Sequence, residues 1–360
     1  IYTLSLHDAL PIWSARAAGR IFRKGNNDII DSDIVEDGGQ TMRKYIFQRI
    51  WTSLLTLFVV ITLTFFMMRA IPGGPFTDEK GIPPHIMAKI MERYRLNDPL
   101  YVQYGRYLWD VLRFDLGPSY RYEGMTVNKI IRDSFPVSLM VGSMALALAL
   151  AVGIPAGIVS ALRRGRWQDR SAMVLATLGI TIPNFVIATT LVYLFAYRWG
   201  WVTVGFWEGL PTAVLPALTL AGYPTAFISR LTRSSMLEVI QQDYIRTAHS
   251  KGLRERTVVY IHALRNAIIP VITYLGPLAA GILTGSFVVE QVFGVPGLGT
   301  FFVTSISNRD YTTIMGVTIF YSALLVFLNL VVDICLGFVD PRIKPPTRSE
   351  ERRVGKECRS

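Results

Sequence analysis

No charged residue occurs between Ile50 and Met68. A run of that length constrains a fold more than any motif. About 20 apolar residues in a helix span the roughly 30 Å hydrocarbon core of a bilayer. A lone segment can satisfy its backbone there only as a helix. Five further runs follow, Val137–Leu162, Ala172–Tyr197, Thr212–Ser229, Ala267–Val289 and Thr313–Val339, and the first extends over Phe47–Ile71. The fourth is the shortest and is interrupted by Pro216, Gly222 and Pro224. The sequence therefore predicts an all-α polytopic membrane protein with six transmembrane helices.

Composition supports this reading. The 360 residues are 51% hydrophobic and 18% charged, with a mean hydropathy of +0.35 and a net charge of +11. Soluble domains carry about 25% charged residues. An apolar, basic chain suits either a nucleic-acid binder or a membrane protein. Here long uncharged runs separate the basic clusters, which favours the membrane and excludes nucleic acid as a partner. Two cysteines exclude a disulfide scaffold, and the apolar content excludes a disordered chain.

Basic residues set the orientation. With the Met42 end inside, the inner segments are Met42–Arg49, Arg163–Arg170, Arg230–Asn266 and Asp340–Lys344, and they carry 16 Lys and Arg. The two short outer loops, Arg198–Pro211 and Glu290–Thr312, carry one each, Arg198 and Arg309. Both ends of the chain are expected in the cytosol. No small-residue cleavage site follows the first run, so it is expected to remain as an anchor.

Two loops are too long to be simple connections. Residues 72–136 form an exterior loop subdomain, in which His85–Phe114 has amphipathic helical spacing. Residues 230–266 form an inner loop with apolar residues at Met236, Ile240, Tyr244 and Ala248, read as two short helices with a turn at Gly252. Residues 42–71 are the N-terminal helix, and 137–344 hold the five-helix core with that inner loop.

The ends read differently. Ile1–Ile12 (IYTLSLHDALPI) and Arg348–Ser360 (RSEERRVGKECRS) are related at the DNA level. Codons for the first can be written so that the opposite strand, in a shifted frame, encodes the second. This resembles a translated sequencing adapter read in both directions, and both strings are set aside from fold reasoning. Residues 1–41 as a whole read as such an artefact or as upstream read-through before Met42, with a true cytosolic extension the alternative for Trp13–Thr41, and 345–360 as a tail that is mostly artefact.

The sequence contains no GxxxxGK[ST], HExxH, GxSxG or CxxC pattern. No catalytic residue is expected, and the scattered His85, His249 and His262 make no metal site. Gly153 and Gly157 form a GxxxG pattern that reads as helix packing. Pro155 and Pro183 read as kinks. Asp333, an acid near the inner end of the last run, reads as structural.

The most informative pattern is Ile245–Pro270 (IRTAHSKGLRERTVVYIHALRNAIIP). It resembles the cytosolic loop of membrane subunits of bacterial ATP-binding-cassette (ABC) importers. Arg246, Thr247 and Ala248 stand where that family has Glu-Ala-Ala. Gly252 is its glycine, His262-Ala263-Leu264 follows, and Arg265 replaces a frequent Pro, as in the peptide branch. The resemblance extends to MRKYIFQRI and TLTFFMMRAIPGGPF near the start, to YRLNDPLYVQYGRYL, to DLGPS at Asp115–Ser119 and to GSFVVEQVFGVPGLGTFFVTSISNRDY at Gly285–Tyr311. It is strongest to the oligopeptide permease group, and Pro118 fits that group better than the dipeptide or nickel members.

The resemblance implies the type I permease fold of ABC importers, in a bacterial inner membrane. It implies a homologous second permease subunit, two cytosolic ATPases, an exterior binding protein and a peptide cargo. ATP and magnesium would be used by the ATPases and no cofactor would be bound by this chain. Arg246, Thr247, Ala248, Gly252, Leu253, Arg254, Glu255, Arg256 and His262 would form the ATPase-coupling loop. Phe293, Gly294, Pro296, Gly297 and Gly299, in a re-entrant or tightly turned segment, would form the outer mouth; an ordinary Gly/Pro turn is the plainer alternative. Dipeptide, nickel or glutathione import are the alternatives within the family. An ion-gradient-driven secondary transporter would need more helices and intramembrane carboxylates, and no clustered nucleophile supports a membrane-embedded enzyme.

Overall fold

The computed structural model describes residues 33–71, 88–89, 91–92, 94–122 and 124–339, with side chains from residue 47 to 334. The adapter-like strings, most of the N-terminal extension, the tail from 340 and residues 72–87 of the exterior loop lie outside the described residues. The chain separates into a unit up to Phe47 and a unit from Gln48. The second unit holds the helix bundle.

Among the described residues there are helices and no strand, only one isolated bridge between Pro118 and Thr126. The elements are α1 (Asp33–Ala70), α2 (Leu100–Leu112), α3 (Val127–Leu162), α4 (Trp167–Thr181), α5 (Asn184–Leu191), α6 (Leu210–Ile240), α7 (Asp243–Ser250), α8 (Glu255–Thr257), α9 (Leu264–Ala267), α10 (Ile269–Leu283), α11 (Phe287–Phe293), α12 (Leu298–Ser307) and α13 (Tyr311–Val339). Wider π-helical turns at Val192–Arg198 and Val258–Ala263 follow α5 and α8.

Four helices are long and apolar enough to cross a membrane, over Phe47–Ala70, Val127–Leu162, Leu210–Ile240 and Tyr311–Ile334. Three bent pairs complete the set. The run from α4 into α5 breaks by 101°, α8–α9 into α10 by 49°, and α11 into α12 by 103°. The first two are the expected third and fifth spans. The third pair replaces the expected outer loop. Its arms, at 1.5 Å per residue, are each about 10–15 Å long and too short to cross alone.

Several boundaries differ from expectation. Helix α3 begins at Val127, not 137, with Pro136 inside it. Val127, Ile130 and Ile131 are buried against Leu298 and Val317, and that packing outweighs the hydrogen bond lost at Pro136. Helix α6 continues to Ile240, so Met236 and Ile240 belong to a span rather than to a separate loop helix. Helix α10 stops at Leu283, six residues before the expected end, and Gly285 turns at φ +91°. Helix α1 starts at Asp33, upstream of Met42.

Helix α3 is the central strut. At one end it packs under α12 and α13. At the other, Ile158 and Ala161 pack against Met236, Ile245, Val258, Val259 and Ala263. A middle cluster includes Val141, Ala145, Leu215, Leu220, Ile228, Val271 and Ile282. The GxxxG pattern of α3 packs against α6. A Cβ on Gly157 would fall 2.5 Å from Thr232 Cβ and 2.6 Å from the Ser229 carbonyl oxygen. One on Gly153 would fall 2.9 Å from the Thr225 carbonyl oxygen. Small residues let these helices touch at the backbone. Outward faces stay apolar, as at Trp51, Leu54, Phe58, Val174, Leu175 and Phe327, which suits a lipid solvent.

Asp333 on α13 has its partner on α1, where Arg49 Nε donates to it at 2.5 Å. This is the structural role expected for an acid inside an apolar run.

Candidate functional site

The loop that leads from α6 to α10 is built on the end of α6. After Ile240 the chain turns through Gln241 and Gln242 into α7. Ile245 and Ala248 are one turn apart on α7 and both are buried under Ile158 and Met236. The other face of α7 is exposed. Gly252 then turns at φ +73°, with open space where a Cβ would stand. A left-handed residue after a helix is the position glycine serves best. Helix α8 comes next and runs through the π-helical turn into α9.

This geometry sorts the residues singled out by sequence. Arg246, Thr247, Gly252, Leu253, Arg254, Glu255 and Arg256 form one exposed strip. Ala248 is buried and anchors the strip from below, and His262 is half-buried on the π-helical turn. Contacts within the strip are loose, with Arg246 3.6 Å from Asp243 and His249 3.7 Å from Glu255. Such exposed pairs contribute little stability, so these charges are not used up in holding the loop. Tyr244, Tyr260 and Ile261 are also exposed. Sequence reasoning counted Tyr244 among the loop's apolar helical positions and did not single out Tyr260 and Ile261, which follow buried Val258 and Val259.

A buried ionic cluster braces the loop's base. Arg233 on α6 donates through Nε and Nη2 to the two carboxylate oxygens of Asp169 on α4, at 2.7 and 2.9 Å. Ser160 of α3 donates to the same carboxylate at 2.5 Å, and the Gly165 amide at 2.8 Å. Three helices thus meet on one side chain that is only 4% exposed. Asp169 precedes the apolar run that begins at Ala172. The Arg233 guanidinium and these donors hold its carboxyl well below the usual carboxylate range.

The segment Phe293–Gly299 lies at the opposite end of α3. Phe293 ends α11, and Gly294 turns at φ +68°. A Cβ there would meet Gly205 Cα at 2.8 Å, and the Gly205 amide donates to the Phe293 carbonyl at 3.2 Å. Gly297 and Gly299 are buried against Glu290, whereas Gly294 and Pro296 are exposed. Glu290, 3% exposed, is the residue the sequence did not reveal. It accepts from Ser138 Oγ at 2.7 Å, from the Thr300 amide at 2.8 Å and from Thr300 Oγ1 at 3.2 Å. Ser138 Oγ in turn accepts from the Leu298 amide at 2.9 Å. The bent pair is therefore a fixed hairpin clamped to α3. A glutamate among apolar residues gives no sequence signal of its partners.

Between these ends, a cavity of about 290 Å³ opens at the α4–α5 break. Asn184, Tyr223, Tyr274, Pro277 and Gly281 line it, and no charged residue does. Helix breaks lining a passage are where membrane proteins tolerate irregular backbone.

Known proteins share this plan. The family described as "Binding-protein-dependent transport system inner membrane component" matches residues 153–345, and its N-terminal counterpart matches 42–142. The dipeptide transport system permease protein DppB of Bacillus subtilis is 46% identical over 303 residues, 84% of this chain and 98% of that protein. The oligopeptide transport system permease proteins OppB of Haemophilus influenzae and Escherichia coli are 44% and 43% identical, over 84% of this chain and all of theirs. Among solved structures, a chain of the methionine ABC transporter MetNI in an inward facing conformation matches with a TM-score of 0.50 and 16% identity. It covers 59% of this chain and 96% of that chain, and shows the ABC importer permease fold. With family matches over most of its length and relatives above 40% identity across the same region, the chain belongs to the binding-protein-dependent transport system inner membrane components, as a permease subunit of an ABC importer.

Proposed function

We propose that this chain forms half of an oligopeptide path and couples it to ATP hydrolysis by partner subunits. The observation that carries the coupling role is the exposed strip Arg246–Arg256, with its glycine turn and its buried anchors Ile245 and Ala248. A rigid strip with unspent charges and exposed apolar side chains suits a groove on a soluble ATPase. Arg246, Thr247, Gly252, Leu253, Arg254, Glu255, Arg256 and His262 make up the coupling loop, with Ala248 as its support. The loop moves with α3 and α6 because all three share one core. ATP and magnesium belong to two ATPase subunits on the cytosolic side, where both termini also lie.

The opposite end forms the outer mouth. Phe293, Gly294, Pro296, Gly297 and Gly299 lie on a hairpin held by Glu290, beneath a docked exterior binding protein. A second, homologous permease completes the passage. A peptide shifts the balance between inward-facing and outward-facing shapes only by its unequal affinity for them. Relatives named for oligopeptide and dipeptide transport have similar identities to this chain, so short and longer peptides are both cargo of the same chemistry.

Reconstitution with the partner subunits tests this reading. Vesicles should take up a labelled tripeptide when ATP and the binding protein are supplied, and not when either is withheld. Uptake without ATP, driven by a proton or sodium gradient, would contradict it.

A further inference from the structure

We propose that a cavity at the far end of α1 holds the headgroup of a membrane lipid bearing a phosphate and a primary ammonium. This goes beyond the transport reading and does not rest on it.

Six buried side-chain atoms among the described residues have no hydrogen-bond partner, and three of them belong to residues lining this one cavity. They are Arg69 Nε, Gln103 Oε1 and Tyr107 Oη. A buried polar atom without a partner costs about 1–3 kcal/mol, so three together point to a ligand. The cavity measures about 250 Å³, far more than a single water needs.

Each unpaired atom is held in place. Gln103 is 8% exposed, and its Nε2 donates to the carbonyls of Leu96 and Asp98 at 3.0 and 2.7 Å. With both amide hydrogens used, Oε1 is left as an acceptor. The Tyr107 ring stacks on Phe65 at 5.4 Å, and the Arg69 guanidinium lies over the same ring at 5.3 Å. Arg95, at φ +53°, and Asp110 also line the cavity.

The ligand's chemistry follows. Arg69 Nε–H and the Tyr107 hydroxyl donate, and Arg95 adds charge, so one part must be an oxyanion. Gln103 Oε1 and the Asp110 carboxylate accept, so another part must donate. A phosphate joined to a primary ammonium meets both needs. A trimethylammonium cannot donate a hydrogen bond.

Position selects a lipid over a free solute. Arg69 lies in the last turn of α1, at the end of the apolar window Phe47–Ala70, which is headgroup depth. Val59, Leu63, Phe66 and Met67 are exposed along the same helix below it, at helical spacing, and offer a track for an acyl chain. The two segments that wall the cavity, Tyr94–Leu108 and Asp115–Ser119, are among those the sequence singled out, and the coupling loop does not use them.

The test uses the full chain in phosphatidylcholine nanodiscs, with labelled dioleoyl phosphatidylethanolamine as the probe. The protein should prefer phosphatidylethanolamine over phosphatidylcholine by about tenfold, the worth of one charge-assisted hydrogen bond. Asp110→Asn should remove most of that preference, because the acceptors facing the ammonium set it, whereas Tyr107→Phe and Arg69→Gln should weaken retention of both lipids. Tyr107→Phe should leave the thermal midpoint in pure phosphatidylcholine unchanged or higher, because it deletes an unpaired polar atom. Equal retention of the two lipids would overturn the proposal, as would an unchanged preference in Asp110→Asn or unchanged retention of both lipids in Tyr107→Phe and Arg69→Gln. Free O-phosphoethanolamine binding as tightly as the lipid, or trialanine displacing it, would overturn the lipid assignment.

Discussion

Arg233 clasps Asp169 with two parallel hydrogen bonds, 2.7 and 2.9 Å long, between α6 and the start of α4. Ser160 ties α3 to the same carboxylate. Because α7 packs on α3 and α6, this clasp sets the base from which the proposed coupling loop projects. Asp169→Ala should lower stability by about 1–3 kcal/mol, less than the full cost of a broken buried pair because the Arg233 side chain is 25% exposed. Thermal unfolding in detergent measures it. A loss below 0.5 kcal/mol, about the effect of an ordinary surface change, would show that the clasp bears no load.

The same pair fixes a pH dependence. Asp169 titrates below its ordinary value in the folded protein, so its contribution is complete above the unfolded carboxylate pKa of about 4 and is lost as pH falls toward the folded value. The stability gap between the wild type and Asp169→Asn should stay constant from pH 5 to 8 and shrink on further acidification. A gap that instead narrows between pH 6 and 8 would assign the effect to another group.

Close contact between α3 and α6 makes Gly157 intolerant of any side chain. Gly157→Val must displace Thr232 or the Ser229 carbonyl, and overpacking of this kind costs about 1–3 kcal/mol. Reduced yield and a lower unfolding temperature are expected. Gly165→Ala is the contrast, since open space surrounds that position and only its φ of +76° resists. An equal effect from both would refute a backbone-level contact at Gly157.

Gly252 separates coupling from folding. Its φ of +73° disfavours a branched residue, yet a Cβ there would touch nothing. Gly252→Val should shift the strip while leaving the helix bundle and the membrane level intact. Reversing charge at Arg254 and Arg256 should weaken docking without strain. Both variants should hydrolyse ATP without matching transport, or lose stimulation of hydrolysis by the binding protein. Normal uptake by both would remove the loop's assigned role.

Glu290 holds the hairpin of α11 and α12, and Glu290→Ala would leave Ser138 Oγ and the Thr300 amide without their acceptor. Each buried group so stranded costs about 1–3 kcal/mol. Proteolysis near Gly294 should accelerate in this variant, and Glu290→Gln should restore part of the protection. Identical cleavage rates in the wild type and Glu290→Ala would show that the clamp is dispensable.

Much of this architecture was legible in the sequence because lipid imposes simple demands. Uncharged runs located the spans, Gly252 located the turn, and Gly153 and Gly157 located the helix contact. Asp333 was read as structural, and its partner Arg49 lies 284 positions away. Boundaries were less legible where tertiary packing decided them, as at Val127, which stays helical across Pro136 because Leu298 and Val317 cover it. The bent pair around Gly294 carried its glycines openly, but its clamp is a set of long-range hydrogen bonds between Glu290, Ser138 and Thr300. No local pattern encodes such partners. Ala248 stood both in the family motif and on the loop's apolar helical spacing, and its packing on Met236 and Ile158 shows that it faces inward.

On the proposed function, a soluble ATPase docks on the strip Arg246–Arg256 and so links the helix bundle to an energy source. Co-purification is its sharpest test. The tagged chain is expressed together with its neighbouring transport genes and extracted in mild detergent, and the bound proteins are identified. A second permease and ATPase subunits should be retained, with ATP hydrolysis in the eluate. Reversing Arg254 and Arg256 should release the ATPases while the second permease stays bound. A chain that purifies without ATPase even at low salt, or whose charge-reversed form retains it fully, would show that the strip is not the docking surface.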